Sequence, residues 1–238
     1  MQTHINIMLV DDHSVVRAGI RRLLEQRAGF NVVAEAESGE LAYQLFGEHL
    51  PDLTVMDLTM RGMGGLEAIH RIIARYPSAK ILVLSMHEGA VFAGQALKAG
   101  AKGYLPKSGL ADALVKALET ILSGKIYIDT AMAKSMTLHT LENAENPLLQ
   151  LSPREFEIFR LLAEGNDCDA IGVALKISSK TVSNHQTSLK QKLGVNNPVE
   201  MVRFAIRVQF IGQHLRALAH ILCQTANTAR AFVRQSVG

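Results

Sequence analysis

Residues 5–14 read INIMLVDDHS, an apolar run that ends in two aspartates and a histidine. Four further short runs rich in Val, Ile and Leu follow it, at residues 32–36, 53–56, 81–84 and 103–105. Stretches with apolar residues at helical spacing alternate with these runs, at residues 15–27, 40–49, 66–76, 90–98 and 110–122. Short apolar runs of this kind are typical of buried strands. Their alternation with helices predicts a five-stranded parallel sheet covered by helices on both faces.

Polar side chains stand directly after four of the predicted strands. In chain order they are Asp11, Asp12, Asp57, Ser85 and Lys107. The carboxyl ends of parallel strands meet at one edge of a sheet, and folds of this class bind ligands there. The sequence therefore predicts a site in which carboxylates, a hydroxyl and an ammonium group come together.

Carboxylates packed this closely repel one another, and either a raised pKa or a bound hard cation relieves the repulsion. Mg²⁺ suits the oxygen ligands, and the most central of the carboxylates could then attack a phosphoryl group to form an acyl phosphate. Lys107 would pair with oxygens of the phosphoryl group, and the Ser85 hydroxyl would hydrogen-bond to a further oxygen of that group. The alternative, that Asp11 and Asp12 only cap a helix, leaves the other strand ends unexplained.

Four motifs resemble the receiver domain of two-component response regulators: VDDH at 10–13, MDL at 56–58, LSMH at 84–87 and GYLPK at 103–107. The resemblance implies a flavodoxin-like sheet with strand order 2-1-3-4-5 and a phosphoacceptor aspartate. It also implies Mg²⁺ as cofactor, a switch hydroxyl and a switch aromatic ring. Carried over to this sequence, the phosphoacceptor is Asp57; the metal ligands are Asp11, Asp12, Asp57 and the backbone carbonyl of Thr59; and the phosphoryl-stabilising and switch residues are Ser85, Tyr104 and Lys107. The alternative to a switch role for Tyr104 is that it is simply an amphipathic ring at the edge of the sheet.

The loop after Asp57 departs from the receiver pattern. Receivers usually carry a proline after the methionine of this loop, whereas here Met60 is followed by Arg61. Proline fixes φ, so its replacement predicts a slightly looser loop. The departure bears on the kinetics of phosphorylation more than on phosphorylation itself.

From residue 129 to 150 the sequence becomes polar, with a helical stretch near 132–139. Ser152-Pro153-Arg154-Glu155 then provides an N-cap, a first-turn proline and a capping-box glutamate, which predicts a helix start. A second helix at 169–175 and a tight turn lead to a third helix at 180–192, capped by Ser179, and a fourth begins after Asn197. We divide the chain into a receiver domain (1–125), a linker (126–148), a helix-turn-helix domain (149–211) and a helical extension (212–238).

The motifs LSPRE, KTVSNH and LGV, followed by VRFAIR, resemble the DNA-binding domain of the LuxR/NarL class of regulators. The resemblance implies an all-α helix-turn-helix domain whose third helix enters the major groove. The implied DNA-binding residues are Lys180, Thr181, Ser183, Asn184, His185, Thr187, Lys190 and Lys192. Asn184 could pair with adenine or be a solvated surface residue, and His185 could contact a phosphate or pack against the neighbouring helix.

Two features of the helix-turn-helix region depart from the family pattern. Gly172 interrupts the second helix and should weaken it, and Gln186 stands where an apolar residue would face the core. Both departures bear on DNA affinity and target sequence more than on the fold.

Composition agrees with a globular chain, since 48% of its residues are hydrophobic and 20% are charged. Residues 1–130 carry 13 basic and 14 acidic side chains, whereas residues 131–238 carry 12 and 8, so a polyanion would bind the second half. No export signal or membrane span is evident, which predicts a cytoplasmic protein with two reduced thiols, Cys168 and Cys223. The acid-free extension at 212–238 could be a helix covering the DNA-binding domain or a dimer seam, a disordered end, or a membrane-surface helix.

These patterns predict a DNA-binding response regulator, not an enzyme: a sensor histidine kinase phosphorylates Asp57, and the phosphorylated homodimer binds promoter DNA and contacts RNA polymerase. One rival function is a phosphotransfer module whose second domain binds protein. Another is a constitutive DNA-binding protein with an idle receiver, although the full acidic set of the receiver speaks against it.

Overall fold

The computed structural model describes residues 4–27, 29–142, 146–208 and 210. Its sheet is parallel and has six strands in the order β2-β1-β3-β4-β5-β6. The strands are β1 (Ile5–Val10), β2 (Phe30–Ala36), β3 (Leu53–Asp57), β4 (Ile81–Ser85), β5 (Gly103–Pro106) and β6 (Tyr127–Ile128). The helices between them are α1 (Ser14–Glu25), α2 (Gly39–His49), α3 (Gly65–Arg75), α4 (Ala90–Lys98) and α5 (Leu110–Leu122). The predicted parallel α/β fold is confirmed.

Helices cover both faces of the sheet. On one face α1 and α5 bury Leu24 and Leu118 against the strands. On the other face α2, α3 and α4 bury Phe46, Ile69 and Phe92. Because helices cover both faces of the sheet, β3 and β4 are fully buried, and most of their residues are apolar.

The sixth strand corrects the predicted count of five. β6 pairs with β5 through Gly103 and Tyr127. A Cβ at Gly103 would lie 3.0 Å from the Tyr127 carbonyl oxygen, so glycine permits the close approach of the two strands. A two-residue strand is too short to show any periodicity in sequence, which is why the sequence pattern missed it.

The polar stretch after β6 forms α6 (Thr130–Glu142), which packs against α4 and buries Met132. A 3₁₀ turn at Pro147–Gln150 leads into the helical domain. That domain consists of α7 (Pro153–Ala163), α8 (Cys168–Leu175), α9 (Ser179–Leu193) and α10 (Pro198–Arg207). Its buried residues belong to the same apolar cluster as those of α2, α3 and α4, so this domain packs directly on the receiver.

Caps set the helix boundaries in this domain. Ser152 and Glu155 form the predicted capping box at the start of α7. α9 begins one residue earlier than predicted, because the side chain of Ser178, rather than Ser179, accepts a hydrogen bond from the backbone N–H of Thr181. The predicted extension at 212–238 lies outside the described residues. In the part of the chain that is described, no helix is both long and apolar enough to cross a bilayer.

Candidate functional site

The strand ends bring Asp11, Asp57 and Lys107 into contact. The Lys107 ammonium lies 2.6 Å from Asp11 Oδ2 and 3.2 Å from Asp57 Oδ1. Both carboxylates are almost completely buried, with residue exposures of 2% for Asp11 and 3% for Asp57. Asp11 follows β1, Asp57 ends β3 and Lys107 follows β5, so the parallel topology alone creates this cluster.

Burial raises the pKa of Asp57 to about 6; the Lys107 charge opposes this shift, and the nearby carboxylates of Asp11 and Asp12 add to it. Burial by itself would lower the pKa of Lys107, but its hydrogen bond to Asp11 and the charge of Asp57 raise it instead. The site therefore holds more negative charge than one ammonium neutralises.

Oxygen atoms suited to a divalent cation gather at the same place. Carboxylate oxygens of Asp11, Asp12 and Asp57 and a ring nitrogen of His13 lie within 4.8 Å of one another. Three carboxylates that one lysine cannot neutralise fit a hard cation such as Mg²⁺. His13 Nδ1 lies 2.8 Å from Asp12 Oδ1, and no role for this histidine was predicted.

Ser85 and Tyr104 meet at the loop after β4. The Ser85 hydroxyl accepts a hydrogen bond from the backbone N–H of His87 at 3.0 Å, and the Tyr104 hydroxyl donates to the His87 carbonyl at 2.6 Å. Burial raises the pKa of Tyr104, whose side chain is inaccessible to solvent. The alternative of a ring at the sheet edge does not hold, because β6 lies outside β5.

The second set of predicted residues lies along α9. Lys180, Ser183, Asn184 and Thr187 are exposed, whereas Thr181, His185 and Lys190 are half-buried. These positions lie on successive turns of one helix, as expected for an element that enters a groove of DNA. The receiver packs against other helices and leaves the four exposed residues open to solvent.

Thr181 and Lys192, which belong to the predicted DNA-binding set, also make contacts within the helical domain. Thr181 Oγ1 lies 2.8 Å from Ser178 Oγ in the helix cap. Lys192 donates to Glu155 of α7 at 2.7 Å, although its side chain stays 43% exposed. Burial would raise the pKa of Glu155, but the hydrogen bonds from Lys192 and from the Ser152 backbone outweigh it and lower the pKa to about 2. Glu155 thus holds α9 against α7. Its position in the capping box does not predict this second role.

The sequence does not predict several contacts that tie α4 and the loop before it to the linker and to the helical domain. The buried Gln95 of α4 donates to the Leu148 carbonyl. His87 stacks on Phe92 at 4.1 Å, and Phe92 packs on Phe156 of α7 at 5.3 Å. Burial, and after it the charge of Arg160, lowers the pKa of His87 to about 4. No periodicity or motif predicts such contacts, because each of these side chains would also fit an ordinary surface position of its own domain.

The departures at Gly172 and Gln186 also have structural explanations. A Cβ at Gly172 would lie 2.8 Å from the Ile177 carbonyl oxygen, so glycine allows the turn to pack against α8. Gln186 accepts a weak hydrogen bond from the Cys168 thiol at 3.9 Å and lines a cavity of about 420 Å³ together with Val199 and Val202.

Comparison with known proteins gives matches over both domains. Residues 7–119 match the response regulator receiver domain family, and residues 149–205 match the bacterial regulatory proteins of the luxR family. Response regulator UvrY of Escherichia coli K12 is 38% identical over 205 residues, which cover 85% of this chain and 94% of UvrY. RcsB of Salmonella enterica serovar Typhimurium, solved bound to the promoter rprA in the presence of the phosphomimetic BeF3-, is 29% identical. It superposes with a TM-score of 0.62 over 84% of this chain and 98% of RcsB. A structure of two RcsB dimers on two parallel DNAs is 30% identical, with a TM-score of 0.55 over 84% of this chain and 97% of that one.

Proposed function

The chain belongs to the response regulators that carry a LuxR-type DNA-binding domain, and on that premise we propose that phosphorylation of Asp57 controls its binding to promoter DNA. It is a DNA-binding transcriptional regulator and not an enzyme. The observation that carries the proposal is the buried contact of Lys107 with both Asp11 and Asp57 at the carboxyl edge of the sheet.

In the proposed reaction a carboxylate oxygen of Asp57 forms a bond to the phosphorus of a phosphohistidine on the sensor kinase. The bond from phosphorus to the histidine nitrogen breaks, and its electron pair stays on that nitrogen. Lys107 is placed to pair with the phosphoryl oxygens and the Ser85 hydroxyl to hydrogen-bond to one of them. Mg²⁺, held by Asp11, Asp12, Asp57 and the Thr59 carbonyl, would neutralise charge on the phosphoryl group.

The second part of the proposal is sequence-specific DNA binding by a homodimer through the exposed residues of α9. Asn184 reads a base edge, and Lys180 and Lys190 contact phosphates. The solved structure of two RcsB dimers bound to two parallel DNAs supports the dimeric part of this proposal. Contact with RNA polymerase is a further part of the proposal.

A footprinting experiment tests the two parts together. With Mg²⁺ and acetyl phosphate, we expect protection of target promoters to strengthen and to weaken steeply with salt, since phosphate contacts release counterions. The variant Asp57→Asn should show no response to acetyl phosphate. An equal footprint from Asp57→Asn and from the treated wild type would mean an idle receiver, and capture of a protein partner without any footprint would support a protein-binding second domain.

A further inference from the structure

His13 belongs to the acidic cluster at the carboxyl edge of the sheet, but the proposed function gives it no role. It stands directly after Asp11 and Asp12 in the turn between β1 and α1. Its ring atom Nδ1 lies 2.8 Å from Asp12 Oδ1 and 3.2 Å from Asp11 Oδ1. The ring faces both carboxylates at once, although the side chain is 68% exposed and has room to turn toward solvent.

The place of His13 in the chain offers its side chain a different use. His13 is the N-cap residue of α1, a position at which a polar side chain commonly accepts a hydrogen bond from the first helical turn. The His13 side chain makes no such capping bond. Its backbone N–H donates to Asp11 Oδ1 at 2.9 Å, which holds the residue close to that carboxylate. The imidazole is thus directed to the acidic cluster and not to the helix.

The two carboxylate oxygens of Asp11 face different partners. Asp11 Oδ2 lies 2.6 Å from the Lys107 ammonium, whereas Asp11 Oδ1 lies beside the ring and the backbone N–H of His13. A cation that binds Asp11 Oδ1, Asp12 and His13 would therefore not compete with Lys107 for the same oxygen. Lys107 remains free to keep its contact with Asp57.

The spacing of these atoms fits a set of metal ligands. Two ligands at right angles around an ion, each about 2.1 Å from it, are about 3 Å apart. The distances from His13 Nδ1 to the two carboxylate oxygens, 2.8 and 3.2 Å, bracket this value. Imidazole nitrogen is a good ligand for transition-metal ions such as Ni²⁺, whereas Mg²⁺ takes oxygen ligands. His13 thus adds a donor atom that distinguishes between divalent ions.

Resting on the Mg²⁺ site of the function proposed above, we propose that His13 is a further ligand of this site through Nδ1, and that it favours transition-metal ions over Mg²⁺. The site then has both oxygen and nitrogen donors: Mg²⁺ binds through the oxygens alone, and transition-metal ions bind through His13 as well. The contribution of His13 to affinity rises in the order Mg²⁺, Mn²⁺, Co²⁺, Ni²⁺, because affinity for nitrogen donors increases along this series.

The test is isothermal titration calorimetry of the full-length chain with each of the four ions. His13→Asn removes the ring nitrogen and places a favourable N-cap residue before α1. We expect an unchanged dissociation constant for Mg²⁺, an increase of about tenfold or more for Ni²⁺, and intermediate increases for Mn²⁺ and Co²⁺. His70→Asn removes an exposed histidine of α3 and should leave all four constants unchanged.

Pulsed electron paramagnetic resonance of bound Mn²⁺ gives a second readout. We expect a coupling to a histidine nitrogen in wild type and in His70→Asn, and its loss in His13→Asn. A residue that only orients the carboxylates would not produce this coupling.

Two calorimetric results would overturn the inference and leave the proposed function intact. Equal losses of affinity for all four ions would mean that His13 only orients Asp11 and Asp12, and an unchanged Ni²⁺ affinity would mean that it is not a ligand. If His13→Asn does not fold, as checked by circular dichroism, the nitrogen coupling in wild type decides alone. Binding of none of the four ions by wild type would instead contradict the proposed Mg²⁺ site, so the two failures are distinguishable.

Discussion

Around Asp57 the functional side chains are buried and come from strand ends far apart in sequence, whereas on α9 they are exposed and come from successive turns of one helix. The first arrangement is part of the core, so its chemistry cannot be changed without changing packing. The second rests on the core only through residues such as Val182 and Leu189, and its outer side chains are free of that constraint. Stability and function should therefore be tightly linked in the first region and separable in the second.

The largest effect on stability is expected at Gly65. An added Cβ would overlap the Asp57 carbonyl oxygen at 2.1 Å, so Gly65→Ala should lower the free energy of unfolding by about 2 kcal/mol. Gly109→Ala, whose Cβ would meet no atom within 4 Å, is the matched control and should change it by less than about 0.5 kcal/mol. Urea denaturation measures both, and equal midpoints would show that the site is not rigid.

On α9 the expected loss is of binding, with stability preserved. Asn184→Ala should cost about 1–3 kcal/mol of discrimination at one base pair, because an amide can bond to adenine in two places. Lys180→Ala should weaken binding to all sequences alike and reduce the salt dependence by about one phosphate contact. Fluorescence anisotropy with matched and mismatched promoter DNA separates the two effects. Should Asn184→Ala lower the unfolding free energy as much as Gly65→Ala does, the contrast between the regions would be lost.

Glu155 joins α9 to α7 and gives a pH-dependent effect of intermediate size. Because its pKa falls from the ordinary 4.5 to about 2 in the folded chain, its stabilisation is complete above about pH 4.5 and is lost as pH falls toward 2. Solvent screening of the half-exposed Lys192 limits the contribution to about 1–2 kcal/mol. Glu155→Gln should remove that part of the acid sensitivity, as followed by denaturation between pH 2 and 6. An unchanged profile would mean that the Lys192 contact does not persist in solution.

The smallest effect compares one substitution in two helices. Gly19 lies exposed in α1 with no atom near its missing Cβ, so Gly19→Ala should stabilise the chain by about 0.5–1 kcal/mol through helix propensity. Gly172→Ala in α8 should destabilise it, since the Cβ would lie 2.8 Å from the Ile177 carbonyl oxygen. Thermal unfolding gives the sign of each change, and two changes of the same sign would contradict this account.

The strand ends could be predicted because topology leaves them no alternative. Once short apolar runs indicate a parallel sheet, residues such as Asp57 and Lys107 must meet at its carboxyl edge, even though 50 positions separate them. The caps of α7 and α10 can also be predicted from the sequence, since each depends on two residues only three positions apart. Local chemistry and sheet topology are the two kinds of information that a single sequence carries strongly.

The contact between the domains could not be predicted in the same way. Arg154 looks like an ordinary first-turn residue of α7 and Glu157 like an exposed acidic one, yet Arg154 donates to the Gly62 carbonyl and Glu157 is buried. The sixth strand gives no sequence signal because two residues show no periodicity. The sequence alone also does not show that Gly172 lies against the Ile177 carbonyl across the turn. Each depends on a partner distant in sequence whose position no local pattern fixes.

The central claim is that Asp57 accepts a phosphoryl group, and peptide mapping by mass spectrometry after incubation of the full chain with Mg²⁺ and acetyl phosphate tests it most directly. We expect one phosphoryl group on the peptide containing Asp57, no labelling of Asp57→Asn, and much slower labelling of Lys107→Ala, which loses the cation beside the attacking carboxylate. A phosphoryl group on another residue, or an unmodified Asp57 in a folded chain, would contradict the account.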